Sequence, residues 1–147
     1  MNNIVLCGFM GCGKTTVGRN LARKAGRKFI DMDLYIEEKA GMKISEIFEK
    51  FGESRFRDME HEACLELADT EGLVIASGGG AFTFQRNIDA FRGKDKIVLL
   101  DVPLDIIKQR LRTTQQDRFY SAPTKRRQCV SFTKSDFLFI FLPPTLQ

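Results

Sequence analysis

Apolar and polar positions along the chain follow two alternating grammars. "NIVLCGF" is a short β-branched run closed by glycine, the pattern of a buried strand. From Thr15 the apolar side chains fall at Val17, Leu21 and Ala25, a helical spacing with Gly26 as its C-cap. "KFIDMD" returns to strand character, with two carboxylates at its carboxyl end. "ISEIFEKF" sets Ile44, Ile47, Phe48 and Phe51 at i, i+3, i+4 and i+7, which predicts an amphipathic helix stopped by Gly52; Phe56, Met59, Ala63 and Leu67 line a second helix. "LVIASGGG" and "KIVLLDV" are near-continuous apolar runs, and Leu104, Ile107 and Leu111 mark one more helix after Pro103. Strands that are apolar throughout and alternate with helices predict a parallel sheet covered on both faces, with ligands at the carboxyl ends of the strands. Functional residues are expected just after Cys7, Ile30 and Ala76. From Arg110 to Phe132, "RLRTTQQDRFYSAPTKRRQCVSF", neither grammar holds.

A chain of 147 residues is one domain's worth. Its first 112 residues hold 18 basic and 17 acidic side chains and the last 35 hold five and two, so the net charge of +4 resides almost wholly in the irregular tail and is poor grounds for nucleic-acid binding. Cys7, Cys12, Cys64 and Cys129 form no C-x-x-C pair and no metal-like cluster with the single His61, which fits free thiols in a reducing cytoplasm. The opening "MNNIVLCGF" has no signal-peptide pattern, and nothing approaches the roughly 18 apolar residues of a membrane span. A soluble cytoplasmic protein with no membrane partner is expected.

The motif that carries chemistry is "GFMGCGKT", Gly8 to Thr15, a full G-x-x-x-x-G-K-[ST] placed after a strand and opening a helix. Its glycines let successive N–H groups converge on phosphate oxygens, and the helix adds its positive end. Lys14 is placed to reach the β- and γ-phosphates and the Thr15 hydroxyl to ligate Mg²⁺. Asp31 and Asp33, two apart, are expected to project to one face beside the γ-phosphate, where paired carboxylates suit a water-mediated metal contact and deprotonation of an acceptor hydroxyl; an N-cap aspartate with a solvated neighbour is the alternative. Arg57 and Glu60 share a helix face and are able to pair, making a receptor for a substrate carboxylate or simply a surface ion pair. Gly78, Gly79 and Gly80, after the third strand, permit a small molecule to lie against backbone N–H groups, or else form a flexible loop.

The phosphate loop, "DMD", "GESRFR" with Glu60, and "ASGGG" occur together and in order, and this set over residues 1–112 resembles shikimate kinase, a small P-loop enzyme of aromatic amino-acid biosynthesis. The resemblance implies a three-layer α/β/α P-loop kinase fold with a central parallel sheet, shikimate-binding helices at about 33–62, and a monomer whose partners are ATP and shikimate. It assigns Gly11, Cys12, Gly13, Lys14, Thr15 and Thr16 to ATP, Thr15 and Asp31 to Mg²⁺, and Lys14 and Asp33 to catalysis. Asp33 would hold ring hydroxyls as the candidate base, Arg57 the carboxylate with Glu60 behind it, and Gly79 a hydroxyl through its backbone, with Gly78 and Gly80 beside it in the substrate site. The implied reaction moves the γ-phosphoryl of ATP to the 3-hydroxyl of shikimate. Other readings are a gluconate-type or other small-molecule P-loop kinase, and a non-catalytic or misfolded nucleotide-binding product.

After Arg112 the resemblance stops. The family continues into a mobile lid with a motif like "RPLL", a helix supplying a second carboxylate-binding arginine before a tyrosine, and a fifth strand; here Arg118 precedes Phe119 and Tyr120 instead. When each codon's last base is read with the first two of the next, Thr114 onward can spell "TTRPLLQRPDKEAAMRELYEKRLPLY", with leucine the only outcome where Phe119 and Tyr120 overlap. Residues 113–147 are therefore expected to be an out-of-frame tail, with lid and last strand missing or replaced and activity weakened. A divergent tail binding nucleic acid through "RFYSAPTKRR" is the competing reading. "DFLFIFLPP" is a possible last strand, and unpaired it is an aggregation hazard.

Overall fold

The computed structural model describes residues 1–8, 13–101, 105 and 137–141. Five parallel strands form one sheet in the order β2-β3-β1-β4-β5, where β1 is Ile4–Cys7, β2 Lys28–Asp31, β3 Leu73–Ala76, β4 Lys96–Asp101 and β5 Phe137–Phe141. The helices are α1 (Lys14–Ala25), α2 (Met32–Ala40), α3 (Ile44–Ala68) and α4 (Gln85–Phe91), with a 3-10 turn at Ala81–Thr83. The helix predicted at Leu104, Ile107 and Leu111, and the lid position, lie outside the described residues.

Strand alternation divides the core in two. Val5, Cys7, Ile75 and Ile97 face one side and pack with Met32, Ile36, Ile47, Phe56 and Phe91 from α2, α3 and α4. Leu6, Val74, Val98 and Leu100 face the other and pack with Val17, Leu21 and Ala22 of α1. Both faces of the sheet are covered, which is why the strand sequences lack a polar face. Gly26 caps α1 in the left-handed region as expected. Gly52, at φ 81° and ψ 172°, breaks α3 into the two helices that the apolar spacing predicts.

The tail supplies the fifth strand of the sheet. Phe137–Phe141 lies parallel to β4, with Ile97 opposite Phe137 and Asp101 opposite Phe141, so the tail's apolar run is paired along this side. Ladder hydrogen bonds join main chain to main chain, and an extended apolar segment of the right length satisfies them whatever its spelling.

Candidate active site

The carboxyl ends of β1, β2 and β3 open on one side of the sheet and deliver the chain to three short connections. The first enters α1 through Gly13, whose φ of 96° favours glycine. Among the described residues no side chain caps this helix, and its first turn carries no acidic residue. The positive end of the helix dipole at such a start favours an anion. Lys14 Nζ donates to the Gly8 carbonyl at 2.8 Å, holding the ammonium across the loop. Thr15 is half-buried and Thr16 exposed in the same turn, while Gly11 and Cys12 lie outside the described residues.

The second connection departs from sequence expectation. The strand ends at Asp31, and Asp33 sits inside the first turn of α2 rather than beside Asp31 on a strand face. Asp31 is the N-cap: its Oδ1 accepts from the backbone N–H of Asp33 at 3.0 Å and of Leu34 at 3.2 Å. Its Oδ2 accepts from Thr15 Oγ1 at 3.4 Å, so one carboxylate caps α2 and also faces the phosphate loop. The capping and the functional readings of Asp31 are compatible, because the two oxygens do different work.

The third connection is the glycine triplet. Gly78 is buried, and a Cβ there would lie 2.7 Å from Asp33 Oδ1 and 3.1 Å from Glu60 Oε2. A Cβ on Gly80 would lie 2.9 Å and 3.0 Å from Arg57 Nη1 and Nη2. Gly79, exposed between them, turns the chain outward. The triplet is therefore a close-packed floor against Asp33, Arg57 and Glu60. Arg57 and Glu60 pair at 3.0 Å, with Glu60 only 1% exposed, so this is an interior pair and not a surface one. Glu53 adds a second carboxylate 3.5 Å from Arg57 Nη2, and the rings of Phe56 and Phe84 lie over the guanidinium. Glu53 was open to detection at i, i+4 from Arg57; Phe84, 27 positions away, left no local signal.

Burial raises the Asp33 carboxyl above its ordinary 3.8, the negative charges of Asp31 and Glu37 reinforce this, and Lys14 and Arg57 oppose it. Lys14 and Arg57 are thus both close enough to Asp33 to act on it. Glu60 is likewise raised above 4.5, chiefly by burial and further by Asp33, against the pull of Arg57 and Arg86. A carboxyl raised on folding binds more protons in the native than in the unfolded state, so its contribution to stability is present below the unfolded value and lost as pH rises through the raised one. Urea melts between pH 4 and 7 should therefore show the parent losing stability relative to Glu60→Gln as pH rises; parallel curves would refute this. Burial also pushes the Cys64 thiol up to about 12, and Cys7 and Cys64 are both buried outside any disulfide.

Among the described residues no group of three or more His, Cys, Asp and Glu could hold a metal. The nearby Thr15 hydroxyl and Asp31 carboxylate are hard oxygen donors that fit Mg²⁺ sharing its remaining positions with phosphate oxygens and water. No described helix is long and apolar enough to cross a membrane.

A phosphate loop at the end of the central strand, faced across the sheet's edge by a carboxylate, an arginine and a glycine floor, defines a P-loop phosphotransferase acting on a small molecule. The shikimate kinase family model matches residues 10–137, past the point where the motif resemblance ends. The chain belongs to that family. It is 43% identical over 126 residues to a shikimate kinase of Sulfurihydrogenibium, covering 86% of this chain and 76% of the relative. It is 48% identical over 110 residues to that of Geobacter sulfurreducens, covering 75% of this chain and 61% of the relative. Among solved structures, shikimate kinase from Acinetobacter baumannii in complex with shikimate superposes with a TM-score of 0.75 at 42% identity, over 82% of this chain and 66% of the other.

Proposed function

We propose that this chain binds ATP with Mg²⁺ and shikimate in the cytoplasm and transfers the γ-phosphoryl group to the 3-hydroxyl of shikimate, slowly as its sequence stands. The observation that carries the reading is the convergence of Asp33, the Arg57–Glu60 pair and the glycine floor beside Lys14 and Thr15. The loop N–H groups and Lys14 hold the triphosphate, and Arg57 takes the acceptor carboxylate through N–H donors that Glu60 and Glu53 orient. Asp33 accepts the proton of the attacking hydroxyl as its oxygen bonds to the γ-phosphorus and the bond to the bridging oxygen of ADP breaks. Magnesium bound with the nucleotide supplies charge neutralisation on the phosphates.

A gluconate-type acceptor carries a carboxylate as well but no ring, and a substrate panel separates the two. Shikimate-dependent ADP release tests the reading directly; nucleotide-dependent thermal stabilisation with no turnover on any acceptor would leave a binding protein only. We also infer that residues 113–147 are read out of frame, since the alternative frame restores in family order the lid motif and the arginine-before-tyrosine segment that the chain lacks.

Gly80→Ala isolates the carboxylate clamp. Gly80 has φ −110° and ψ −2°, which alanine adopts freely, and the atoms its methyl meets belong to the far end of Arg57. The guanidinium shifts at small cost to the fold. Shikimate affinity is expected to fall about tenfold, the equivalent of one charge-assisted hydrogen bond, with ATP affinity and melting temperature nearly unchanged. Calorimetry with each ligand decides, and equal losses for both ligands would refute the assignment.

A further inference from the structure

Arg57 is already engaged by two carboxylates, Glu60 at 3.0 Å and Glu53 at 3.5 Å, so a third carboxylate arriving from a substrate meets locally negative surroundings. What steadies the guanidinium without adding negative charge or consuming a donor is aromatic: Cζ lies 5.3 Å from the Phe56 ring centroid and 5.2 Å from that of Phe84. Phe56 is the neighbouring residue on the same helix. Phe84 comes from the far side of the glycine floor, as the N-cap residue of α4.

Successive contacts register this segment on α3. Arg86 Nη2 donates to the Arg57 carbonyl at 3.0 Å and to Asp58 Oδ1 at 3.2 Å. Buried Asn87 lies 2.9 Å from His61 Nδ1 and donates to the Ala81 carbonyl at 2.8 Å. The start of α4 is thus tied to α3 at positions 57, 58 and 61, which places the Phe84 ring against the guanidinium by construction. Arg57 Nε is buried and has no hydrogen-bond partner among the described residues, so the packing around the guanidinium, and not a bond at Nε, holds that edge.

Resting on the reading of Arg57 as carboxylate receptor, we propose that Phe84 is a positioning residue: its ring holds the Arg57 guanidinium in place by cation–π contact and so sets the affinity for a carboxylated acceptor over an uncharged one. A planar cation ordered before binding loses less freedom when the carboxylate arrives, and a ring covering it excludes water that would compete for the same donors.

The test is calorimetric binding to the full chain of shikimate and of its neutral carboxamide analogue. Phe84→Leu is expected to weaken shikimate about fivefold, the scale of a partly desolvated cation–π contact, and to leave the carboxamide unchanged; Phe84→Tyr, which keeps the ring, is expected to bind both as the parent does. Equal weakening of both ligands marks a packing role and overturns the proposal, as does a Phe84→Leu affinity equal to the parent's. Arg57→Ala separates the two layers: if it binds shikimate as tightly as the parent, the receptor reading itself fails. Phe84→Met, of similar volume and without a ring, replaces the leucine variant should that one not melt cooperatively.

Discussion

A chain carrying TTRPLLQRPDKEAAMRELYEKRLPLY at positions 114–139 should phosphorylate shikimate two to three decades faster than the chain as it stands. The comparison leaves untouched the phosphate loop, the aspartates, the arginine and the glycine floor, and among the described residues changes only Phe137 and Phe139, at the margin of the sheet, so ground-state binding of ATP should change less than turnover. The gain has a specific source: a lid arginine stabilises charge on the phosphoryl group in flight, and removing one such donor typically costs about 3 kcal/mol, equivalent to roughly two decades of rate. Closure also keeps water from the γ-phosphate. Steady-state ADP release by the two chains, in parallel, is the measurement. Equal rates would show that residues 114–139 do not limit catalysis, and a DNA sequence whose base choices fail to encode the string would end the out-of-frame inference directly.

Asp33→Asn should lower turnover by about two to four decades, the usual contribution of a positioned general base. The side chain keeps its shape and one hydrogen-bonding oxygen, so the acceptor still binds, but the hydroxyl loses its proton acceptor. The restored chain is the better host because its rate leaves room for the fall. Burial raises the carboxyl of Asp33, and the base must be ionised to act. The parent's rate should therefore fall as pH drops through that raised value, and the asparagine variant should lack this limb. A loss of tenfold or less would make Asp33 a holder of ring hydroxyls and move the proton elsewhere.

How much was legible can be judged residue by residue. The strand before the G-x-x-x-x-G-K-[ST] run and the helix that opens at Lys14 were readable because both are set by local, unbroken sequence. Arg57 with Glu60 was readable because helical spacing makes neighbours of positions three apart. The placement of Asp33 was misread, since "KFIDMD" continues a strand pattern and only the capping bonds of Asp31 show that the helix begins at Met32. α4 escaped because seven residues with Asn87 and Asp89 among them carry too little periodicity. The contacts of Phe84 and Gly80 with Arg57 were invisible for a different reason: they join α3 to the connection after β3, and only the packed fold sets which side chains meet.

The ladder between β4 and Phe137–Phe141 bears on how much sequence change a sheet margin tolerates. Main-chain bonding proofreads length and extension, never the letters, so a strand of unrelated spelling can shelter this margin of β4 from proteases and from other chains.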